Sequence, residues 1–456
     1  MHIHFIAIGG SAMHNLAIAL HKKGYRVSGS DDEVFEPSKS RLQKHGLLPD
    51  KIGWSPDFIT SKIDVIILGM HARVDNPELI RAQELGLKIY SYPEYLYEQT
   101  KDKKRIVIGG SHGKTTTTSM IMHVLKFHGV DFDYMVGANI EGFETMVELN
   151  STSKVAVFEG DEYLSSPIDM RPKFLHYRPH VALLTGIAWD HINVFPTFEL
   201  YVKQFSLFAK SIVDGGCLIY FEGDELLHEV ARDVELGVKT LTYSVLSHVI
   251  QNNNTIVNTI LGDIRLQIFG EHNLQNLAGA KLVCAEIGIS ENQFFEAIKT
   301  FKGSARRLEL IAQNDNATVF FDFAHSPSKL KATTKAVSEQ FPDRELVAVM
   351  ELHTFSSLKK EFLPLYDQCM DAAQKAIVYY NPHTIEHKKL EMISPEQVKT
   401  AFGNRVEVYT DADQLFSDLE AMDWNGKNLL IMSSGNFSGK DIKLFGENLL
   451  LETKIE

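Results

Sequence analysis

Residues 109–118 read Gly-Gly-Ser-His-Gly-Lys-Thr-Thr-Thr-Thr, between a short β-branched run and an apolar-periodic stretch, 119–128, that predicts a helix. Backbone N–H groups in such a loop, with the positive end of a following helix, attract phosphate. The Lys114 ammonium would contact the outer phosphates, and the Thr115 hydroxyl would bind the accompanying magnesium ion. Ile108 stands where the strict pattern has its first glycine. We interpret the stretch as a nucleoside triphosphate site; the alternative is a glycine-rich turn with an incidental lysine.

Polar side chains also follow two further predicted strands of the same region. Glu159 comes directly after the strand 154–158, and His191 follows the strand 181–185. Because the carboxyl ends of parallel strands meet at one edge of a sheet, both could lie near Thr115 and hold a phosphate-bound cation. Taken singly, Glu159 is equally compatible with a helix cap, and His191 with a buried histidine whose nitrogens are satisfied.

The N-terminal segment has the pattern of a nucleotide-binding βαβ unit. A predicted strand at 2–8 leads into the small-residue turn 9–13, and a second predicted strand ends at Asp31. An acidic residue at about this spacing binds ribose in dinucleotide folds. Ala7 and Ala12 replace glycines of the full pattern, so another nucleotide diphosphate is at least as compatible with the turn as NAD.

Strands alternate with helices along the whole chain, which predicts an α/β protein built on parallel sheets. The charged stretch 101–104 and the pair Gly303-Ser304 mark two boundaries. We therefore predict a Rossmann-like N-terminal domain at 1–102, a central P-loop ATPase domain with a parallel sheet at 103–303, and a Rossmann-like C-terminal α/β domain at 304–456.

The composition narrows the classes of partner and compartment. The chain has 46 basic and 59 acidic residues and a net charge of −13, which argues against a nucleic-acid partner. Its 3 cysteines form no CxxC pair and no disulfide framework, as expected in a reducing compartment. The sequence shows neither a leader pattern nor a long apolar run, so we expect a cytoplasmic protein without membrane contact.

Several motifs together resemble one family. GGSHGKTTTTSM, FEGDE, the Asp190-His191 pair, GEHNLQN and the arginines 306–307 followed by Asp322 occur in the order and spacing of the Mur ligases, the ATP-dependent amide-forming enzymes of peptidoglycan assembly. IAIGGSAM and VSGSD resemble the branch that uses UDP-N-acetylmuramate. VFEPSKSRL and KFLHYRP resemble the branch that adds the recycled tripeptide L-alanyl-γ-D-glutamyl-meso-diaminopimelate more than the branch that adds free alanine.

The resemblance implies a set of site residues, which fall into four roles. The implied catalytic residues are Lys114, Glu159, His191 and Arg307. The implied metal ligands are Thr115, Glu159 and His191. The implied ATP contacts are Gly110, Ser111, His112, Gly113, Lys114, Thr115, Thr116, His272, Asn273, Asn276, Arg307, Asp322 and His325. The implied contacts to UDP-N-acetylmuramate are Gly9, Gly10, Ser11, Asp31, His71, Arg73 and Asn76.

The resemblance also implies the reaction. ATP, with Mg²⁺, would convert the muramate carboxylate to an acyl phosphate, which the amine of a peptide or amino-acid acceptor would attack. The C-terminal domain would bind that acceptor and help to enclose ATP, and we expect a monomer or weak homodimer. The alternatives are the alanine-adding ligase, a folate-type ligase, a P-loop ATPase switch and an NAD-dependent oxidoreductase.

Three features of the sequence depart from the family pattern. Some branches carry a carbamylated lysine as a metal ligand, but Lys203 is out of register for that role. The stretch 351–355 lacks the arginine expected from either close branch. The loop 433–439 resembles the tripeptide branch only loosely, so acceptor identity is where the resemblance is weakest.

Overall fold

The computed structural model describes residues 1–189 and 194–452; residues 190–193 and 453–456 lie outside the described part. The chain forms two compact units. Unit 1 comprises Met1–Leu246 and Gln275–Ile298, and unit 2 comprises Ser247–Leu274 and Lys299–Glu456. Within the described residues, every helix is too short or too polar to cross a bilayer.

Unit 1 begins with a four-stranded parallel sheet. Its strands are β1 His2–Ile6, β2 Arg26–Ser30, β3 Val65–Leu68 and β4 Lys88–Ser91. Its helices are α1 Ser11–Lys22, α2 Ser38–Lys44, α3 Pro77–Glu84 and α4 Tyr92–Thr100. The strand order is β2-β1-β3-β4, so β1 and β3 are central, and both are almost wholly buried; β3 is entirely apolar, whereas β1 carries His2 and His4 among its apolar residues. Their carboxyl ends bring the turn after β1 beside the loop after β3.

A seven-stranded sheet follows in unit 1. Its strands are β5 Lys104–Gly109, β6 Phe132–Met135, β7 Val147–Glu148, β8 Val155–Glu159, β11 Val181–Leu184, β12 Cys217–Phe221 and β13 Lys239–Tyr243, and a separate antiparallel pair is β9 Leu164–Ser166 with β10 Asp169–Pro172. The helices are α5 Lys114–Phe127, α6 Phe198–Lys210, α7 Glu225–Ala231, α8 Glu271–Glu286 and α9 Glu291–Ile298, with a short 3-10 helix at Lys173–His176. The division between the units falls inside α8.

Strand β5 lies in the middle of this sheet, in the order β13-β12-β11-β5-β8-β6-β7. Ile106, Val107 and Ile108 are fully buried, because β5 has strands on both sides. Ile108 is thus a buried residue inside the strand, which ends at Gly109, and the turn begins only at Gly110. This position places the loop after β5 between the ends of β8 and β11.

Unit 2 contains a three-stranded antiparallel sheet and a six-stranded sheet. The strands are β14 His248–Gln251, β15 Asn254–Thr259, β16 Gly262–Arg265, β17 Glu309–Gln313, β18 Thr318–Asp322, β19 Glu345–Glu351, β20 Lys375–Tyr379, β21 Val406–Tyr409 and β22 Lys427–Met432. The helices are α10 Pro327–Gln340, α11 Pro382–His387, α12 Pro395–Ala401, α13 Ala412–Glu420 and α14 Ile442–Glu452. The larger sheet has the order β17-β18-β22-β19-β20-β21, which puts the ends of β19 and β22 side by side.

The predicted α/β architecture with parallel sheets is confirmed, with two refinements. Strands β7 and β17 are antiparallel edge strands of otherwise parallel sheets. The prediction that the phosphate-loop helix begins at residue 119 is wrong: α5 begins at Lys114. Four consecutive threonines obscured the helical pattern, but all four are buried in the structure. The domain limits at 102 and 303 stay predictions.

Candidate active site

The loop between β5 and α5 depends on two glycines. Gly110 has φ +125° and Gly113 has φ +77°, the left-handed region that favours glycine. A Cβ on Gly110 would lie 2.9 Å from the Thr185 backbone nitrogen, and a Cβ on Gly113 would collide with the Asn276 side-chain oxygen. Both glycines are therefore needed for close packing as well as for backbone conformation. Asn276, predicted as an ATP contact, lies directly against the phosphate loop.

Lys114 is the first residue of α5, and its ammonium is held inside the loop. It donates to the Gly110 carbonyl at 2.7 Å and to the Glu162 carboxylate at 2.8 Å. Burial would lower the pKa of Lys114, but the neighbouring carboxylates, Glu162 first, outweigh burial and raise that pKa. The ammonium is thus charged and fixed in place, as charge stabilisation at a phosphate requires.

Thr115 and Glu159 come together as predicted. The Thr115 hydroxyl donates to the Glu159 carboxylate over 3.0 Å, and the other carboxylate oxygen accepts from the Gly137 N–H at 2.7 Å. Adjacent ligand oxygens on an octahedral magnesium ion lie about 2.9 Å apart, given metal–oxygen bonds of 2.0–2.1 Å. A hydroxyl and a carboxylate oxygen at 3.0 Å therefore fit a magnesium site. His191, the third predicted ligand, lies outside the described residues.

The loop's remaining predicted ATP contacts outside its glycines are Ser111, His112 and Thr116. Ser111 is buried and accepts from the Ala188 N–H at 2.8 Å, and the His112 carbonyl accepts from the Thr185 hydroxyl. Thr116 is buried on α5.

Lys203, the lysine nearest in sequence to the carbamylated position of other family branches, is exposed on α6, so the structure gives no support for a carbamylated lysine at the metal there.

In unit 2, the predicted residues near Asp322 form a compact group. The Asp322 carboxylate accepts from the backbone N–H groups of Leu308 and Ala324, each at 2.6 Å. The Arg307 guanidinium lies over the Phe323 ring at 5.0 Å from its centre. Asp322 therefore holds the turn that carries Arg307, in addition to the ATP contact predicted for it.

The histidines and the asparagine predicted in unit 2 are mostly inward-facing. Burial lowers the pKa of His272, although the Asp322 charge opposes that change. The Asn273 side chain donates to the Phe269 carbonyl at 2.9 Å, and one ring nitrogen of His325 lies 2.8 Å from the Phe323 carbonyl oxygen. These bonds shape the turns around each residue; ATP contact by the three stays a prediction.

The N-terminal turn is organised by Asp31. Its carboxylate accepts from the Gly9 N–H at 2.6 Å, and burial raises its pKa to about 6. Gly10 precedes helix α1 and Ser11 is its first residue. Ala7 adopts φ +70°, the conformation that a glycine would otherwise supply in the pattern. Gly69, after β3, packs so closely on Ala7 that a Cβ there would lie 2.9 Å from that of Ala7.

The other three residues predicted to bind sugar nucleotide differ in exposure. Asn76 is buried and caps α3, accepting from the Glu78 N–H at 2.9 Å. Arg73 is exposed and pairs with Asp75 at 3.1 Å, and His71 is exposed. Asn76 thus has a structural role that explains its burial, whereas Arg73 and His71 are accessible to a ligand; substrate contact by all three stays a prediction.

Sequence reasoning missed two buried groups beside the phosphate loop, Glu162 and Tyr201. Both have no exposed surface, and the Tyr201 hydroxyl donates to Glu162 at 2.8 Å. Glu162 lies within the FEGDE motif, but its last acid has no assigned role in the pattern. Tyr201 is one apolar-face residue among many on its helix, and only the fold reveals its partner.

A second acidic cluster, Glu94, Asp169 and His176, has three possible metal-ligand atoms within 4.8 Å of one another. The Arg171 guanidinium forms ion pairs with two of its members, donating to Asp169 at 2.6 Å and lying 3.5 Å from Glu94. Because a fixed cation neutralises these acids, we interpret the cluster as an ion-pair network that ties β10 to α4.

Three family models match successive parts of the chain. The "Mur ligase family, catalytic domain" matches residues 2–104, the "Mur ligase middle domain" matches 108–284, and the "Mur ligase, glutamate ligase domain" matches 306–435. Each covers one of the three main sheets. The phosphate loop, Glu159 and Asn276 all fall within the middle match.

Among the sequence relatives, UDP-N-acetylmuramate–L-alanine ligase of Carboxydothermus hydrogenoformans is 30% identical, covering 98% of this chain and 96% of its own. The structure of UDP-N-acetylmuramate–alanine ligase from Thermotoga maritima matches with a TM-score of 0.73 at 21% identity, over 100% of this chain and 99% of its own. UDP-N-acetylmuramate:L-alanyl-γ-D-glutamyl-meso-diaminopimelate ligase from Neisseria meningitides matches with a TM-score of 0.61 at 26% identity, over 67% and 99%.

Proposed function

Since this chain belongs to the Mur ligase family, whose members are ATP-dependent, ADP-forming amide ligases of the peptidoglycan pathway, we propose that it joins UDP-N-acetylmuramate to L-alanyl-γ-D-glutamyl-meso-diaminopimelate. One observation supports the ATP-dependent chemistry most directly. Lys114, Thr115 and Glu159 meet at the carboxyl edge of one sheet, where a phosphate loop ends. We assign residues 1–102 to UDP-N-acetylmuramate, 103–303 to ATP, and 304–456 to the acceptor and to closure over ATP.

The residues at the phosphate loop account for the first chemical step. A muramate carboxylate oxygen attacks the γ-phosphorus of ATP, and ADP leaves with the electrons of the broken P–O bond. Lys114 stabilises the negative charge on the transferring phosphoryl group. Thr115 and Glu159, with His191, would hold Mg²⁺, which supplies further positive charge beside the phosphates. Arg307 would add a second fixed cation at the nucleotide.

The second step forms the amide. The acceptor amine attacks the acyl carbon, a tetrahedral intermediate forms, and phosphate leaves while the nitrogen loses a proton. An acyl phosphate hydrolyses in water, so exclusion of water during this step is necessary. A separate acceptor-binding domain serves that purpose, because closing over the site can depend on both substrates.

We propose that the acceptor binds at two loops of unit 2, 353–357 after β19 and 433–440 after β22, which are neighbours. The Glu351 carboxylate, at the end of β19, accepts from the Phe437 N–H at 3.1 Å and bonds to Ser433 after β22. A Cβ on Gly435 would lie 2.6 Å from the His353 ring. A buried carboxylate therefore joins the loop 353–357 to the loop 433–440. We propose that the two joined loops together bind an acceptor longer than one amino acid.

We propose that three lysines near these loops, Lys359, Lys360 and Lys440, are candidate partners for the acceptor's carboxylates, and the three differ in their present contacts. Lys440 pairs with Asp413, and Lys360 lies 4.0 Å from Glu391. Lys359 lies over the Phe355 ring at 4.9 Å. Lys359 therefore needs the least rearrangement to meet an anionic acceptor, and we place the tripeptide's carboxylates beside it.

Free L-alanine is the second candidate acceptor. The Carboxydothermus hydrogenoformans relative is named for that reaction and matches nearly the full chain at 30% identity. The tripeptide is favoured by VFEPSKSRL and KFLHYRP, and by the likeness to the Neisseria meningitides enzyme at 26% identity. Both acceptors use the same ATP and sugar-nucleotide sites, so only the acceptor assay separates them.

The deciding experiment offers each acceptor separately to the purified chain with UDP-N-acetylmuramate, ATP and Mg²⁺. We expect a product with the mass of the tripeptide adduct, and one phosphate released per adduct. Efficient use of alanine with neglect of the tripeptide would assign the alanine reaction instead. Phosphate release without UDP-N-acetylmuramate and amine would indicate an ATPase switch. Tight binding of NAD would instead support the oxidoreductase alternative.

A further inference from the structure

Glu162, the last residue of the FEGDE motif, contacts the phosphate-loop lysine directly. Its two carboxylate oxygens have different partners: one accepts from Lys114 at 2.8 Å, the other from the Tyr201 hydroxyl at 2.8 Å. The Tyr201 oxygen also lies 2.8 Å from the Ser111 hydroxyl oxygen. These contacts make a continuous chain from the start of the loop, through α6 and the FEGDE segment, to the first residue of α5.

We propose that Glu162 is a positioning residue for the phosphoryl-transfer step, which holds the Lys114 ammonium in the phosphate loop, with Tyr201 fixing Glu162 in turn. The proposal rests on the ATP site of the proposed function and extends it to two residues. Neither residue needs to touch ATP, because each acts through the lysine.

The geometry of the ammonium supports this role. A lysine ammonium has three hydrogen-bond donors. Two of them are directed at the Gly110 carbonyl and the Glu162 carboxylate. The third is left for a phosphate oxygen, and a free lysine side chain would otherwise lose rotational freedom when ATP arrives. Holding the ammonium before ATP binds removes that cost from the reaction.

The burial of the supporting groups also indicates a specific purpose. Glu162 and Tyr201 have no exposed surface, and Ser111 is 5% exposed. Burying a carboxylate is unfavourable unless it is paired and hydrogen-bonded. Glu162 has both kinds of partner, and its negative charge is brought near a site for a triphosphate, where it repels the substrate. We infer that its benefit is the placement of Lys114 rather than attraction of ATP.

The test compares Glu162→Gln, Tyr201→Phe and the double variant with the parent chain, using Tyr220→Phe as the matched control. Tyr220 is a buried tyrosine on β12 of the seven-stranded sheet, and its hydroxyl lies 3.4 Å from a His228 ring nitrogen. We expect Glu162→Gln to lower kcat about tenfold or more, by analogy with loss of one charge-stabilising group. The KM for ATP should stay the same or fall, because a negative charge near the phosphates is removed.

Tyr201→Phe should lower kcat in the same direction but less, because Glu162 keeps its charge. The kcat of the double variant should be no more than about twofold below that of Glu162→Gln, since both residues act through one ammonium. If Glu162 and Tyr201 only stabilise the fold, the variants should instead have a raised KM for both ATP and UDP-N-acetylmuramate and a lowered melting temperature. If Glu162→Gln does not fold, Tyr201→Phe alone decides. Normal kcat in a folded Glu162→Gln variant, or independent effects in the double variant, would overturn the proposal.

Lys114→Ala separates failure of this inference from failure of the proposed function. Loss of activity in Lys114→Ala together with a normal Glu162→Gln variant would reject the positioning role only. Retained activity in Lys114→Ala would reject the ATP site itself. Calorimetry with a non-hydrolysable ATP analogue measures nucleotide binding by each variant and needs no acceptor.

Discussion

The Thr115 hydroxyl donates a 3.0 Å hydrogen bond to the Glu159 carboxylate, although the two residues are 44 positions apart in sequence. The contact exists because β5 and β8 are neighbouring parallel strands, with Ile108 opposite Glu159. Two hard oxygen ligands thus arise at the carboxyl edge of adjacent strands, beside the lysine that would contact phosphate. This relationship links the parallel topology to the chemistry.

Lys114→Ala should abolish turnover while the chain stays folded, because the ammonium that stabilises the transferring phosphoryl group is removed. ATP-dependent amide formation measured beside a thermal melt checks this. Lys203→Ala, at an exposed lysine of α6, is the matched control and should keep normal activity. Near-normal activity in a folded Lys114→Ala variant would remove the assignment.

Activity should vanish with a chelator and return with Mg²⁺, because Thr115 and Glu159 offer oxygen ligands that suit that ion. Glu159→Ala and His191→Ala should both need far more Mg²⁺ for half-maximal rate, and Glu148→Ala, at an exposed glutamate on β7, should not. Magnesium titrations of each variant measure this. Full activity of both site variants at ordinary Mg²⁺ levels would contradict the metal assignment.

Gly110→Ala should impair ATP binding much more than Gly129→Ala. Both glycines have positive φ: alanine costs roughly 1–2 kcal/mol at Gly129, whose φ of +67° is left-handed helical, and at least as much at Gly110, whose φ is +125°. Gly129 has open space around it, whereas a Cβ on Gly110 would collide with Thr185. Calorimetry with an ATP analogue and a thermal melt on both variants separate strain from collision. Equal ATP affinity in the two variants would show that the loop tolerates a side chain.

Asp31 should make stability depend on pH in the opposite sense to a salt-bridged acid. Burial raises its pKa from 3.8 in the unfolded chain to about 6 in the folded chain. Between these two pH values the Asp31 carboxyl binds more protons in the folded chain than in the unfolded chain. The contribution of Asp31 to stability is therefore present below pH 4 and is lost as pH rises to about 6. Asp31→Asn cannot titrate there, so its melting temperature should rise relative to the parent between pH 4 and pH 7.

The matched control for that experiment is Asp57→Asn, at an exposed carboxylate of the same N-terminal region. Its melting temperature should follow that of the parent across the range. A constant difference between Asp31→Asn and the parent from pH 4 to pH 7 would show that Asp31 is not held by burial in the way its contacts indicate.

Local features of this site could be predicted from the amino-acid order alone. Glycines, a lysine and a threonine at fixed spacing after a β-branched strand specify a phosphate loop, because backbone conformation and helix start are set by neighbouring residues. The same reasoning predicted the alternating α/β order and strands such as β11. It misplaced the start of α5, since buried threonines lack the apolar signature used to find a helix.

The folded chain was needed to establish which distant residues share the site. Asn276 packs against Gly113, Asp31 accepts from the Gly9 N–H, and Glu162 pairs with Lys114. Each pairing depends on strand order, register and the direction of a helix, which arise from packing over the whole sheet rather than from local preference. For that reason FEGDE could be recognised as a motif, while the role of its last glutamate became visible only once α6 brought Tyr201 beside it.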